Sequence, residues 1–395
     1  MRNESAAILD IRSDEVSFLL GSRGVNGTFV FSGSHTEKYD GYSIEHGFFD
    51  SSSFRQAVNR AILSVRQNYN GIIDEVYVGV PSGFISIQTK GHTVSYPSKR
   101  KITQQDVDAL YENGLNALLA QGECIRHSAM YFELGDNRRY FSVEDLYGLS
   151  TTMLKGALCY YFVTDTFYQT IDTLLRELGI STIRYIPSTL AQSMYLLTET
   201  RRDGYAFLLD IGFMTSSISV VYGNGIVHEA SFDCGVGEIL ADIAEKLHVD
   251  FYTAEEILFS SNVSGGSVTK DVMWTNEQGD LSISVNQIND VIKNGLDMLC
   301  ENVENFFAKY YKEKVLATMM TNPISITGEG IGYIKGATEH ISKRINRLPE
   351  IVYPDLPFYD KPMFSSRIAL LDMALSDKKK RGWFYKIFNN FGGKR

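Results

Sequence analysis

Residues 205–225, YAFLLDIGFMTSSISVVYGNG, read as an apolar strand ending in Asp210, a short turn, a second apolar strand and a Gly-Asn-Gly turn at 223–225. The same plan opens the chain: residues 6–21, AAILDIRSDEVSFLLG, give a strand ending in Asp10, a turn and a second strand. Such runs, closed by turn residues, predict a β-hairpin in each place. More strand and then a helical pattern follow each hairpin. Phe54, Val58, Ile62 and Val65 keep one face in the first half, and residues 239–247 do so in the second. A unit that occurs twice predicts two similar α/β domains facing each other across a cleft.

A different segment interrupts the first half. Residues 75–97, EVYVGVPSGFISIQTKGHTVSYP, are strand-rich, and Lys99, Arg100 and Lys101 follow as a basic loop. Thr103 and Asp106 have the spacing of a capping box and start a helix over 104–119. A strand pair between 128 and 154 completes a small inserted α+β unit. The expected division is 1–76 with 157–203 as the first domain, 77–156 as the insertion and 204–372 as the second domain, with 251–310 its smaller part. Residues 373–395 are left as a linker and tail. Helices are expected over 168–178 and 190–198. In the second half, Thr253 and Glu256 suggest another capping box, and an amphipathic helix over 287–311 should bury Ile288, Val291, Ile292, Leu299, Val303 and Phe307. The aromatic run of Tyr160, Tyr161, Phe162, Phe167 and Tyr168 reads as core, and Trp274 as a local packing anchor.

The tail differs in kind from the body. Residues 378–395, KKKRGWFYKIFNNFGGKR, carry seven basic side chains and no acid, and taking them from the net charge of −9 leaves −16 on residues 1–377. On a helix, Trp383, Phe384, Ile387, Phe388 and Phe391 fall within an arc of roughly 140°. Lys386, Asn389 and Asn390 take the other side. Bulky aromatics with cations around them suit a lipid interface: the apolar face is buried, and Lys379, Lys380, Arg381 and Lys386 meet anionic headgroups at about 1 kcal/mol each. The alternatives are a last helix docked on its own domain or a basic tail for nucleic acid. Docking would not require seven cations, and an acidic body repels nucleic acid.

Composition narrows the remaining classes. A length of 395 residues allows two sizeable cores, and 44% apolar with 22% charged residues is ordinary for a soluble globular protein. No run approaches the roughly 18 apolar residues of a spanning helix, and the polar, acidic start does not read as a signal peptide. Cys124, Cys159, Cys234 and Cys300 lie far apart and suggest reduced thiols in the cytosol. The seven histidines form no HExxH, which argues against a metal hydrolase.

With both Asp-ended hairpins, the ITGEG turn at 326–330 and the tail in view, the chain resembles bacterial FtsA, the actin-like protein that ties the FtsZ ring to the membrane. The most specific stretches are 102–110 (ITQQDVDAL), 235–258 (GVGEILADIAEKLHVDFYTAEEIL), 364–371 (FSSRIALL) and the tail. The resemblance covers essentially the whole chain and implies an α/β, actin-like two-domain fold with an FtsA-type inserted subdomain and a C-terminal amphipathic helix. PilM, the actin-like pilus-assembly protein, shares the inserted layout but lacks the tail pattern.

The resemblance also implies a nucleotide cradle for ATP, with Asp10 and Asp210 orienting a hydrated Mg²⁺. Its positions here are Asp10, Arg12, Ser13, Asp210, Gly212, Thr215, Gly235, Glu255, Gly328 and Gly330. Several depart from the family pattern. Where the first hairpin should read Asp-Ile-Gly-Thr-Ser, it reads Asp10-Ile11-Arg12-Ser13. Phe213 and Met214 replace two glycines of Asp-Ile-Gly-Gly-Gly-Thr, and Ser217 replaces that motif's terminal aspartate. The adenosine turn Thr-Gly-Gly-Gly reads Thr327-Gly328-Glu329-Gly330, and a family lysine is Leu258. Phe and Met would fill the space of the β- and γ-phosphates and disfavour positive φ. Arg12 would either donate to phosphate or occupy the site itself. The aspartates would either serve the nucleotide or cap turns.

The expected function follows: a peripheral protein of the cytoplasmic membrane face, at the division site, that forms filaments and tethers FtsZ through a degenerate ATP site. Its partners would be FtsZ or an analogous protein, further copies of itself and an anionic membrane surface, with no nucleic acid. Catalysis is at most weak ATP hydrolysis. The alternatives are a PilM-like assembly adaptor and a sugar kinase of the same superfamily, which would need an intact phosphate loop and has no use for the tail.

Overall fold

Two five-stranded sheets, each built outward from one of the Asp-ended hairpins, organise the molecule. The structure is a computed structural model describing residues 5–118, 122–136, 138–265, 271–276, 279–310, 322–332 and 334–391. In the first half, the antiparallel pair Ser5–Ile11 and Glu15–Arg23 continues into Phe29–Lys38 on one side. On the other side, Glu75–Val80 and then Thr182–Pro187 join in parallel. In the second half, Ala206–Ile211 and Ser216–Tyr222 continue into Gly225–Phe232, with Ile324–Thr327 and Pro349–Ile351 added in parallel. The strand order is the same in both. So is the register: Asp10 stands opposite Ser17, and Asp210 opposite Ser217. Central strands covered on both faces must be apolar throughout, which is why the hairpins read as unbroken hydrophobic runs.

Helices complete each layer. Ser51–Asn68 buries Phe54, Val58, Ile62 and Val65 against the first sheet, its N-cap Asp50 accepting from the Ser52 amide. Val285–Tyr310 buries the six residues expected of it against the second. Asp165–Glu177 and Ser188–Leu196 lie near the expected spans.

The small sheet runs in the order Ile85–Lys101, Ser150–Val163, Glu123–Leu134, Arg139–Tyr140. One face is covered by Gln104–Asn116, started by the Thr103–Asp106 capping box. Two expectations change here. The residues expected to form a basic loop at 99–101 are the end of a 17-residue strand, where Arg100 stacks on Tyr96 at 4.2 Å and pairs with Asp106. The strand expected to rejoin the first half at 157 stays in the small sheet to Val163, because Tyr160 and Phe162 face its core. A third difference lies in the second half. The helix Phe251–Ser260 is capped by Asp250, not Thr253; Thr253 is its buried third residue and donates its amide and hydroxyl to Asp250. Asp and Thr are both good N-caps, and the local pattern fits either start. Trp274 belongs to the strand Asp271–Asn276, and its side chain lies outside the described residues.

The expected linker from 373 is instead part of one helix, Ser365–Phe391. Ile368, Ala369, Leu370, Leu371 and Ala374 are fully buried against the first sheet and Ser188–Leu196. Leaving the core, the helix is held by Arg126–Asp377 at 2.8 Å, Lys378–Glu75 at 2.7 Å and Lys380–Glu144 at 3.1 Å. Among the described residues, the tail cations Lys378 and Lys380 are therefore paired with the body. The side chains of Arg381, Trp383, Phe384, Lys386, Ile387, Phe388 and Phe391 lie outside the described residues. Among the described residues no helix is long and apolar enough to cross a membrane.

This division of the helix is measurable. Leu371→Ala should cost about 2–5 kcal/mol in urea unfolding, since the side chain fills a sealed site against Gly21. Deleting residues 381–395 should leave the urea midpoint unchanged. A large loss from the deletion would show that the far end also supports the fold.

Candidate functional site

The two hairpin turns meet at the base of the cleft, and the Arg12 side chain bridges them. Arg12, in the first turn, sends its guanidinium to Asp210 at the end of the opposite strand, with contacts of 2.7 and 3.0 Å. Both side chains are almost buried, at 13% and 9% exposure. Gln192 donates a third hydrogen bond to Asp210 at 2.9 Å, and Glu329 lies 3.9 Å from Arg12 Nε. A forked guanidinium on a carboxylate is the strongest ordinary polar contact in proteins. Burial alone would raise the Asp210 pKa, but Arg12 and Gln192 outweigh it and hold the carboxyl below the usual range. Glu329, by contrast, is pushed up by burial, against the pull of Arg12.

The turn amides are also committed within the protein. Gly212 N–H donates to Thr215 at 3.1 Å, Phe213 N–H to the Glu329 carboxylate at 3.1 Å, and Met214 N–H to Ser13 Oγ at 2.9 Å. The helix Val236–Leu247 points its N-terminus at this turn, an arrangement that elsewhere receives phosphate. Here Val236 N–H donates to the Gly212 carbonyl at 3.1 Å and Gly237 N–H to the Phe213 carbonyl at 2.7 Å. Gly235 permits this approach, since a Cβ there would overlap the Phe213 carbonyl. Phe213 packs on Gly237, and Met214 reaches across to Gly41 of the first half.

The remaining expected positions fall as follows. Asp10 is buried and accepts from Ser366 Oγ at 2.6 Å, so it faces the C-terminal helix; burial raises its pKa. Thr215 Oγ1 lies 3.4 Å from the Tyr42 hydroxyl. Gly328, at φ +101°, lies so close to Asp210 that a Cβ would strike Oδ1, and Gly330 packs on Ile211. The turn expected to hold adenosine is therefore folded onto the second hairpin. Glu255 stands half-buried on Phe251–Ser260 and makes none of the described contacts with this cluster. Sequence reasoning missed Gln192, Glu329 as a partner of the turn, and Ser366. A lone glutamine in a helix and a serine some 350 positions from Asp10 carry no local signal.

In this arrangement the protein's own groups take up most of the positions expected to receive nucleotide and Mg²⁺. The cleft floor between Arg12, Ser188, Gln192, Asp210 and Thr215 leaves about 30 Å³, room for a water or two. The apolar space behind it, between Ile211, Val236, Leu296 and Ile331, is about 10 Å³. Both aspartates expected to orient Mg²⁺ are held by protein groups, Asp210 by Arg12 and Gln192 and Asp10 by Ser366. What the arrangement does chemically is join the halves.

No protein-family model and no curated protein matches the sequence. Solved structures do match, at low identity. The PilM–PilN type IV pilus biogenesis complex aligns at 12% identity with TM-score 0.60, covering 94% of this chain and 98% of that one. MreB5 of Spiroplasma citri bound to AMPPNP aligns at 11% and TM-score 0.58, covering 96% and 98%. The ethanolamine utilization protein EutJ from Carboxydothermus hydrogenoformans aligns at 11% and TM-score 0.51, covering 95% and 90%. The likeness spans nearly the whole chain, and the fold is actin-like.

Two measurements test this site. Titration calorimetry with Mg·ATP and with Mg·ADP should give no saturable heat at micromolar protein, and Phe213→Gly with Met214→Gly should not restore binding while Arg12 holds Asp210. Tight Mg²⁺-dependent binding by the parent would show that the turn opens readily. The second concerns Glu229, on Gly225–Phe232, whose buried Oε1 lacks a hydrogen-bond partner and whose pKa burial raises to about 7 against the opposing pull of Thr189. A raised folded pKa means stability present below the unfolded value, near 4.3, and lost as pH rises through about 7. The melting temperature should fall between pH 5 and 8, and less steeply in Glu229→Gln. An equal slope in both proteins would assign the fall to other groups.

Proposed function

We propose that this protein is a membrane-associated, non-catalytic assembly protein of actin-like fold that tethers a cytosolic division polymer, FtsZ, to the inner face of the cell membrane. The observation that carries the reading is the C-terminal helix. Rooted in the core by Ile368–Leu375, it continues without a break into the basic, aromatic segment. A helix of 27 residues is about 40 Å long, so its far end can lie in a lipid interface while the near end stays in the fold. The committed cleft supports a tether over an ATP-driven enzyme or a sugar kinase. FtsZ as the partner rests on the sequence stretches at 102–110, 235–258 and 364–371. Head-to-tail stacking of such a body is a heterologous contact that does not close, so copies would form filaments, and a membrane favours them by concentrating molecules in two dimensions.

One observation favours a second reading. The PilM structure aligned here is in complex with PilN, and this chain covers 98% of it, with its own small sheet packed against Gly225–Phe232 of the second half. A pilus-type adaptor would share the fold and the membrane address but take a different partner.

Sedimentation with phosphatidylglycerol vesicles tests the attachment. The full chain should pellet, and Trp383→Asp with Phe384→Asp should stay in the supernatant; equal pelleting of the two would remove the tail from the account. High salt should weaken binding only in part, since the aromatic face remains. Adding FtsZ to the vesicle-bound protein then separates the partners: recruitment supports the tether, and its absence favours the adaptor.

A further inference from the structure

Position 12 in the first hairpin and position 212 in the second are equivalent. Each follows its strand's last residue, Ile11 or Ile211, and stands two past the aspartate; each amide closes the turn, Arg12 onto Glu15 at 2.8 Å and Gly212 onto Thr215 at 3.1 Å. Only position 12 carries a side chain that can cross the cleft. Its head meets both carboxylate oxygens of Asp210, and its Nε lies 3.9 Å from Glu329. Nothing equivalent reaches Asp10 from Gly212, and Asp10 is taken by Ser366 instead.

We propose that Arg12 is a built-in substitute for a bound nucleotide, holding the two halves in one closed arrangement whatever the ATP concentration. This concerns the cleft alone and stands or falls independently of membrane attachment. At the turns the other contacts are neutral or long, while away from them the small sheet meets the second half through Tyr161 and Cys159 at Ile226. Tyr42 to Thr215 is 3.4 Å, the Met214 amide to Ser13 is a single neutral bond, and Asp233 receives the Ile44 amide at an exposed edge. Beneath the seam, the start of the C-terminal helix joins the Asp10 strand to Ile324–Thr327, the parallel neighbour of the Asp210 strand. Ser365 accepts from Thr327 at 2.7 Å, and Ser366 donates to Asp10. The helix therefore registers the closed arrangement that Arg12 sets.

The test measures the cleft directly. Spin labels at Ser52→Cys and Glu238→Cys, both exposed positions on opposite halves, are placed in a full-length Cys124→Ser background, and their separation is read by pulsed electron resonance. The parent should give one narrow distance, unchanged by millimolar Mg·ATP or Mg·ADP. Arg12→Met, which keeps the length and loses the fork, should broaden the distribution and lengthen its mean. A shift of the parent's distance on adding nucleotide would overturn the proposal, and so would a folded Arg12→Met with the parent's narrow distance. If Arg12→Met does not fold, Arg12→Lys keeps the charge without the bidentate geometry. It should broaden the distribution, and an unchanged distance there would count equally against the latch.

Discussion

The Arg12–Asp210 pair is the constraint on which the closed cleft depends. Two sheets of identical strand order, each with a carboxylate at the end of its central strand, bring like charges to one seam. Two buried carboxylates cannot both stay ionised in a low-dielectric site without a cation. This chain resolves the conflict asymmetrically. Asp210 is ionised against a guanidinium, while Asp10 is satisfied by a serine hydroxyl and its pKa rises. Removing one partner of a buried pair typically costs 3–5 kcal/mol because it strands the other charge, so the arrangement resists piecemeal change.

The same constraint explains the departures around it. With an arginine head in the cleft, glycines at 213 and 214 have no phosphate to approach, and larger side chains can fill the space. Phe213 and Met214 do so from one side, and the helix Val236–Leu247 spends its first amides on the turn carbonyls. Glu329, which as an anion beside a polyphosphate would be unfavourable, becomes the acceptor for the Phe213 amide. Each substitution looks like decay when read alone; together they form a connected set of contacts.

Much of the fold was legible in the sequence, because strand and helix periodicity act locally. The duplicated hairpins, the inserted sheet, the Thr103 capping box and the inward face of Val285–Tyr310 all follow from residues within a few positions of one another. The misreadings share a cause. Thr253 and Asp250 are both competent caps, and only packing of the helix start chooses between them. Lys99–Lys101 looks like a loop because its charge does not reveal the strand pairing with Ser150 and Thr151. At the cleft, the sequence left Arg12 two roles, donor to phosphate or occupant of the site. Its partners stand 180 and more positions away, beyond the reach of any local pattern.

The C-terminal helix brings the local and long-range parts together. Its first two residues bind strands of opposite halves, its next two turns fill the first sheet's face, and Asp372, Asp377, Lys378 and Lys380 then pair with Arg23, Arg126, Glu75 and Glu144. These partners lie on the first sheet, the small sheet and the loop beside it. A flexible linker would let a tethered body turn freely, whereas a helix fixed at this many points holds the direction of its far end relative to the cleft. Any surface that captures the far end would therefore orient the whole body. Opening the cleft would have to break the Ser365 and Ser366 contacts as well as the ion pair.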